Sequence, residues 1–129
     1  MSATVETDFG LSMLREAPAN EPLVVSPLSV IFALAMIQAG ARGTTKNQIN
    51  KIISEGESDE LIMAYYSNFS QQILKPKGGV QTRIANGFFL DSQYEIDDHY
   101  KDTVKKYYSA KVESYDFGKP DEAAEVICV

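Results

Sequence analysis

The chain has 129 residues, 44% of them hydrophobic and 23% charged, a balance that supports a folded chain with a sizeable core. Eighteen acidic against twelve basic side chains leave a net charge of −6, which repels phosphate backbones and argues against nucleic acid and anionic membrane surfaces as partners. The one cysteine, Cys128, excludes an internal disulfide and a cysteine-rich metal site, and points to a reducing compartment.

The first ten residues, MSATVETDFG, hold neither a basic stretch nor an apolar run. No secretory leader is expected, and the expected location is intracellular. Thr7 to Glu16 reads as a short amphipathic helix with Phe9, Met13 and Leu14 on one face. Ala17 to Glu21 is a polar break, and Pro22 to Val25 reads as a short apolar strand. Ser26-Pro27 starts a helix twice over, since the Ser hydroxyl can accept an orphan N–H and Pro fits the first helical position. This helix runs to Ala39 and is apolar on nearly every side, which calls for burial all round. Leu23 to Ile37 is too short and too interrupted, by Ser26, Pro27 and Ser29, for the roughly 20 apolar residues a bilayer needs. Gly40 stops the helix.

Thr45-Lys46-Asn47-Gln48 matches a capping box and predicts a second helix carrying Ile49, Ile52 and Ile53 and ending near Gly56. Leu61, Tyr65, Phe69 and Ile73, at steps of four, predict a third over Ser58 to Lys75. After a turn at Pro76 to Gly79, Val80 to Leu90 reads as a strand. Ile96, Tyr100, Val104 and Tyr108 repeat the four-residue step, with Asp97 and Asp98 at one end and Lys105 and Lys106 at the other, as a helix dipole prefers. Lys111 to Phe117 reads as a second strand, and Pro120 to Ile127 as the first turns of another helix.

Residues with catalytic chemistry have simpler readings. Ser26 or Ser29 with His99 and an aspartate would be the ingredients of a hydrolase, but no Gly-x-Ser-x-Gly elbow is present, and the serines suit capping and packing. His99, Asp97, Asp98 and Asp102 read as a solvated helix face rather than a catalyst or a metal site. Gly40-Ala41-Arg42-Gly43-Thr44 lacks the Gly-Lys-Ser/Thr ending of a phosphate loop. Catalytic, metal and cofactor-binding residues are therefore all expected to be none. Asn68-Phe69-Ser70 is a glycosylation sequon, relevant only to a secreted chain. The tail Ile127-Cys128-Val129 resembles a C-terminal ligand for a groove-binding domain, although a chance match is the simpler account.

A family resemblance emerges from motifs in order: Ser26-Pro27-Leu28-Ser29, Gly40-Ala41, Gly43-Thr44-Thr45, Ala85-Asn86-Gly87-Phe88-Phe89, Lys106-Tyr107-Tyr108-Ser109-Ala110 and Val112-Glu113-Ser114-Tyr115-Asp116-Phe117. Together they resemble the amino-terminal third of a serpin. The resemblance implies an α+β fold, with residues 1–129 forming a partial serpin domain: amino-terminal helices, a short strand of the second sheet and two edge strands of the main sheet. It also places Ser26 and Ser29 at the family's small polar shutter positions. Members of the family inhibit proteases by offering a strained loop, which is cleaved and then inserts into the main sheet. The resemblance stops at Ile127, where a member would continue with an asparagine and the rest of a long helix. The chain reads instead as a truncated product without a reactive loop.

Two functional expectations follow. The inhibitory activity, with a target protease as partner, belongs to the full-length family, and this chain alone is non-inhibitory. Alternatively, it is a fragment that associates with serpin chains or interferes with their folding. Asp59 and Glu60, and the lack of Lys or Arg in 58–74, argue against sulphated polysaccharide; Lys75 and Lys77 alone make no patch. Many family members act in the extracellular space, which is the alternative location. The strand edge at Val80–Leu90 invites self-association. Losing cover on three or four apolar side chains, at roughly 1.5–3 kcal/mol each, rivals the about 5–15 kcal/mol of a whole domain, so a molten or associating chain is expected.

Overall fold

The computed structural model describes residues 3–127. They form six helices and two strands: α1 (Ala3–Arg15), α2 (Pro27–Gly40), α3 (Gly43–Ser54), α4 (Asp59–Leu74), β1 (Gly87–Asp91), α5 (Asp98–Tyr108), β2 (Lys111–Tyr115) and α6 (Pro120–Ile127). They divide into two compact units, Met1–Ile84 and Ala85–Val129.

The first unit is a cluster of four helices. Its core is Val5, Ile31, Phe32, Ala35, Met36, Ile53, Ile62 and Tyr66. Ser26 caps α2 through its side chain, with Pro27 in the first turn, as the sequence predicts. Gly10 lets α1 come close to that turn, since a Cβ there would meet the Pro27 ring at 3.0 Å. The Phe32 ring meets Tyr66 edge to face at 6.0 Å, and the Tyr66 hydroxyl donates to the Ile53 carbonyl at 2.6 Å. One aromatic side chain thus ties α4 to both α2 and the end of α3.

Four expectations for this unit need correction. Residues 22–25 form no strand; Val24 is 99% exposed, because an extended segment becomes a strand only against a partner ladder. The capping box does not form: α3 starts at Gly43, after Arg42, which makes no side-chain cap. Gly43 adopts φ 58, so the helix turns in ahead of Thr44 and Thr45. On α4 the four-residue step is right, but the buried face is rotated by one residue. Ile62, Tyr66 and Ser70 are buried, whereas Leu61 is 55% exposed. Finally, α2 is not buried all round, since Ser29, Val30, Ala33 and Ile37 lie along an exposed stripe.

In the second unit β1 and β2 pair in parallel, Gly87 opposite Lys111 through Asp91 opposite Tyr115. Phe88 meets Tyr100 of α5 edge to face at 5.4 Å, and Val104, Tyr108, Ala110 and Ala123 are buried. Asp97 caps α5 by accepting from the Tyr100 N–H at 2.9 Å. Asn86 donates to the Tyr108 carbonyl at 2.8 Å, fixing where the helix ends relative to the start of β1. The strand expected over residues 80–90 is confined to Gly87–Asp91, because its partner supplies only five residues. Val80 instead bridges to Lys77 around the Gly78–Gly79 turn. The second strand ends at Tyr115, two residues before the expected Phe117.

Candidate functional site

The helix start at residues 26–29 is the sequence's leading candidate. The Ser26 hydroxyl accepts from the Ser29 N–H at 3.3 Å, and the two hydroxyl oxygens lie 2.8 Å apart. Both serines are exposed, and they begin the apolar stripe that continues through Val30, Ala33 and Ile37. Their arrangement is that of a helix cap and its neighbour. A nucleophile would need a base within hydrogen-bond reach, and the hydrogen bonds here are to each other.

The other candidates resolve as follows. His99 is exposed, and its carbonyl accepts from the Thr103 hydroxyl at 2.8 Å. Asp97 is a cap, Asp98 approaches Lys101 at 4.0 Å, and Asp102 is exposed. No group of three or more His, Cys, Asp or Glu among the described residues could hold a metal ion. In the sequon Asn68 is exposed, Phe69 stacks on Tyr65 at 5.9 Å and Ser70 is buried, so the folded helix hides the hydroxyl. Lys75 and Lys77 flank an open groove of about 620 Å³ with Gln72, Ile73, Val80 and Thr82. No helix among the described residues is long and apolar enough to cross a membrane. Cys128 and Val129, and with them the tail motif, lie outside the described residues.

Two polar clusters escape a reading by periodicity. Tyr65 of α4 donates to Glu6 of α1 at 2.8 Å. Burial, then the hydrogen bond and charge of Glu6, push the Tyr65 hydroxyl up from 10.0 to about 12. Burial alone also raises Tyr100. The second cluster centres on Asp59, which accepts from the fully buried Gln38 amide at 2.7 Å and pairs with Lys46. Its one signal in the sequence is Gln38, a lone amide in an otherwise apolar helix.

The features most specific to this molecule are thus scaffold: a serine-capped apolar helix, a helix cluster locked by Tyr66, and a parallel strand pair. The comparisons agree. The family model described as Serpin (serine protease inhibitor) matches residues 4–127. Serine protease inhibitor A3A of Mus musculus is 29% identical over 131 residues, covering 97% of this chain and 31% of that protein. Neuroserpin of Homo sapiens is 26% identical, covering 88% of this chain and 28% of its own length. Among solved structures, emu ovalbumin is 28% identical with a TM-score of 0.84, over 95% of this chain and 36% of that one. Arabidopsis AtSerpin1, in its native stressed conformation, is 25% identical with a TM-score of 0.78, over 95% of this chain and 31% of that one. The chain spans about a third of the length of the relatives it matches, and on a family match that takes in nearly all its described residues it belongs to the serpin family.

Proposed function

We propose that this chain is scaffold of a protease inhibitor of the serpin type, and that by itself it inhibits no protease. The observation that carries this reading is the sheet. Loop insertion needs a sheet with central strands that can part and a loop that can enter between them. The described residues offer one pair of five-residue strands, β1 and β2, hydrogen-bonded directly to each other. Ser26 and Ser29 would serve as shutter-like residues, a reading supported by their match to the family's small polar positions and by the pairing of their hydroxyls at 2.8 Å. An assay against serine and cysteine proteases tests the reading. The expectation is full residual protease activity at any excess of the chain, and no heat- and detergent-resistant complex. One such complex would overturn it.

A second reading is that the chain associates with serpin chains. It is favoured by the apolar stripe of α2 together with Leu23 and Val24, which are 45% and 99% exposed. Self-association through the edge of β1 belongs to the same reading, restricted to Gly87–Asp91. Co-expression with a tagged serpin of the same source should then recover both chains together. Recovery of the tagged chain alone, with unchanged yield, would remove this reading and leave the first intact.

A further inference from the structure

Asn86 and Gly87 form an Asn-Gly step that leads into β1. Asparagine before glycine is the dipeptide most open to self-deamidation, because glycine has no side chain to block the approach to its amide nitrogen. In the fold both polar ends of Asn86 are engaged. Its Nδ2 donates to the Tyr108 carbonyl at 2.8 Å, and its main-chain carbonyl accepts from the Lys111 N–H at 2.9 Å. The residue is half-buried. The Phe89 ring lies over Gly87, where a Cβ would meet it at 2.5 Å. The fold thus uses both halves of the labile pair: the asparagine amide to hold the end of α5, and the bare glycine to seat a ring.

We propose that Asn86-Gly87 is a self-acting modification site, silent while the junction of α5, β1 and β2 is closed and released when it opens. The Gly87 amide nitrogen attacks Asn86 Cγ and loses its proton. The new N–Cγ bond closes a succinimide ring as the Cγ–Nδ2 bond breaks, and Nδ2 leaves as ammonia. Water then opens the ring at either carbonyl, giving aspartate or isoaspartate. While Tyr108 holds Nδ2 and Lys111 holds the main-chain carbonyl, Cγ is not free to swing onto the Gly87 nitrogen. Local opening breaks both hydrogen bonds together. The products do not restore them. An ionised aspartate only accepts hydrogen bonds, so it has no donor for the Tyr108 carbonyl. Isoaspartate routes the main chain through the former side chain, which lengthens it ahead of the Gly87–Lys111 pairing. The loss of ammonia makes the change one-way.

The test incubates the 129-residue chain at mildly alkaline pH, in buffer and in unfolding urea. Peptide mass spectrometry reads aspartate and isoaspartate formation at each asparagine. Asn20, exposed in a turn before Glu21, is the internal control. In urea Asn86 should react well ahead of Asn20. In buffer Asn86 should react about tenfold more slowly than in urea, since two hydrogen bonds must open first, while Asn20 should change little. Equal rates at Asn86 in the two media, or an Asn86 that lags Asn20 in urea, overturn the proposal. Val104→Ala, which truncates a fully buried side chain of α5, should speed Asn86 in buffer and leave Asn20 unmoved; no change at Asn86 overturns the gating. Asn86→Asp stands for the product. Its Lys111 amide should exchange with solvent faster than in the parent chain, and unchanged exchange overturns the claim that the modified junction fails to reclose.

Discussion

The unit Met1–Ile84 closes its core with helices whose large side chains reach one another, whereas Ala85–Val129 builds on a five-residue parallel pair with fewer enclosed side chains, Tyr108 the one large one among them. In the first, Phe32, Ile53, Ile62 and Tyr66 are fully enclosed. In the second the enclosed residues are Val104 and Tyr108, with Ala110 and Ala123 nearly so. A cluster of helices satisfies its backbone within each element and needs only apolar faces to meet. A strand pair leaves two unsatisfied edges and needs its register fixed by particular residues, here Gly87 and Asn86. The two units should therefore fail in different ways when cut.

The largest effect belongs to Phe32→Ala, which removes the ring against Tyr66 in the middle of the first core. Such truncations cost about 3–5 kcal/mol, much of the stability of an ordinary domain. Hydrogen exchange read peptide by peptide should show protection lost across α2, α3 and α4. Retained protection in α5 would sharpen the comparison, and equal loss in both units would break it. Next is Tyr66→Phe, which keeps the ring and leaves the Ile53 carbonyl buried without its donor, at a cost of about 1–3 kcal/mol in urea denaturation.

Gly87→Ala is the corresponding cut in the second unit. A Cβ at Gly87 would lie 2.5 Å from the Phe89 ring, so the ring must leave its place beside Tyr115, which it meets at 5.9 Å. Overpacking of this kind costs about 1–3 kcal/mol. Phe89→Leu in the same chain should recover part of the loss, because a shorter side chain clears the new methyl. A loss that Phe89→Leu leaves unchanged would mean that glycine is needed for its backbone and not for the space above it.

The helices were legible in the sequence because their signals are local. Ser26-Pro27, Ser58 and Asp97 each stand where a helix begins, and four-residue steps mark α4 and α5. What was not legible depends on partners distant in the chain. Periodicity locates a face only to within a residue, so Leu61 reads as inward although Ile62 takes that place. Residues 22–25 and 80–86 have strand composition, but a strand is defined by what pairs with it. At the candidate site, the Ser26 cap follows from the sequence. The Gln38–Asp59–Lys46 cluster does not, since it joins residues 21 and 13 positions from Asp59 whose only common signal is polarity.

Tyr65 offers a finer probe of the first unit. Its hydroxyl is raised to about 12, above the unfolded value of about 10. A group raised in the folded state contributes stability that is present below about pH 10 and lost as pH climbs through about 12. The Tyr65 ring signals, followed by nuclear magnetic resonance as pH rises, should report an ionisation above that of a free tyrosine. Glu6→Gln should bring the Tyr65 step down by removing the Glu6 charge while leaving burial in place. A Tyr65 step unmoved by Glu6→Gln would assign the shift to burial alone.

The smallest effect is expected on the open face of the strand pair. There Lys111 reaches Glu113 at 2.9 Å, and Tyr115 donates its hydroxyl to the other carboxylate oxygen. The three side chains alternate along β2 and so share one face, but Lys111 is 59% exposed and Glu113 34%. Water and salt compete for such a pair, and its worth is no more than about 1 kcal/mol. Lys111→Met should lower stability by less than Tyr66→Phe does, and the difference should shrink in high salt. A salt-independent loss as large as that of Tyr66→Phe would mean that this face is covered in solution. The contrast between an enclosed helical core and an open sheet would then hold for the separate chain and fail for its assembled form.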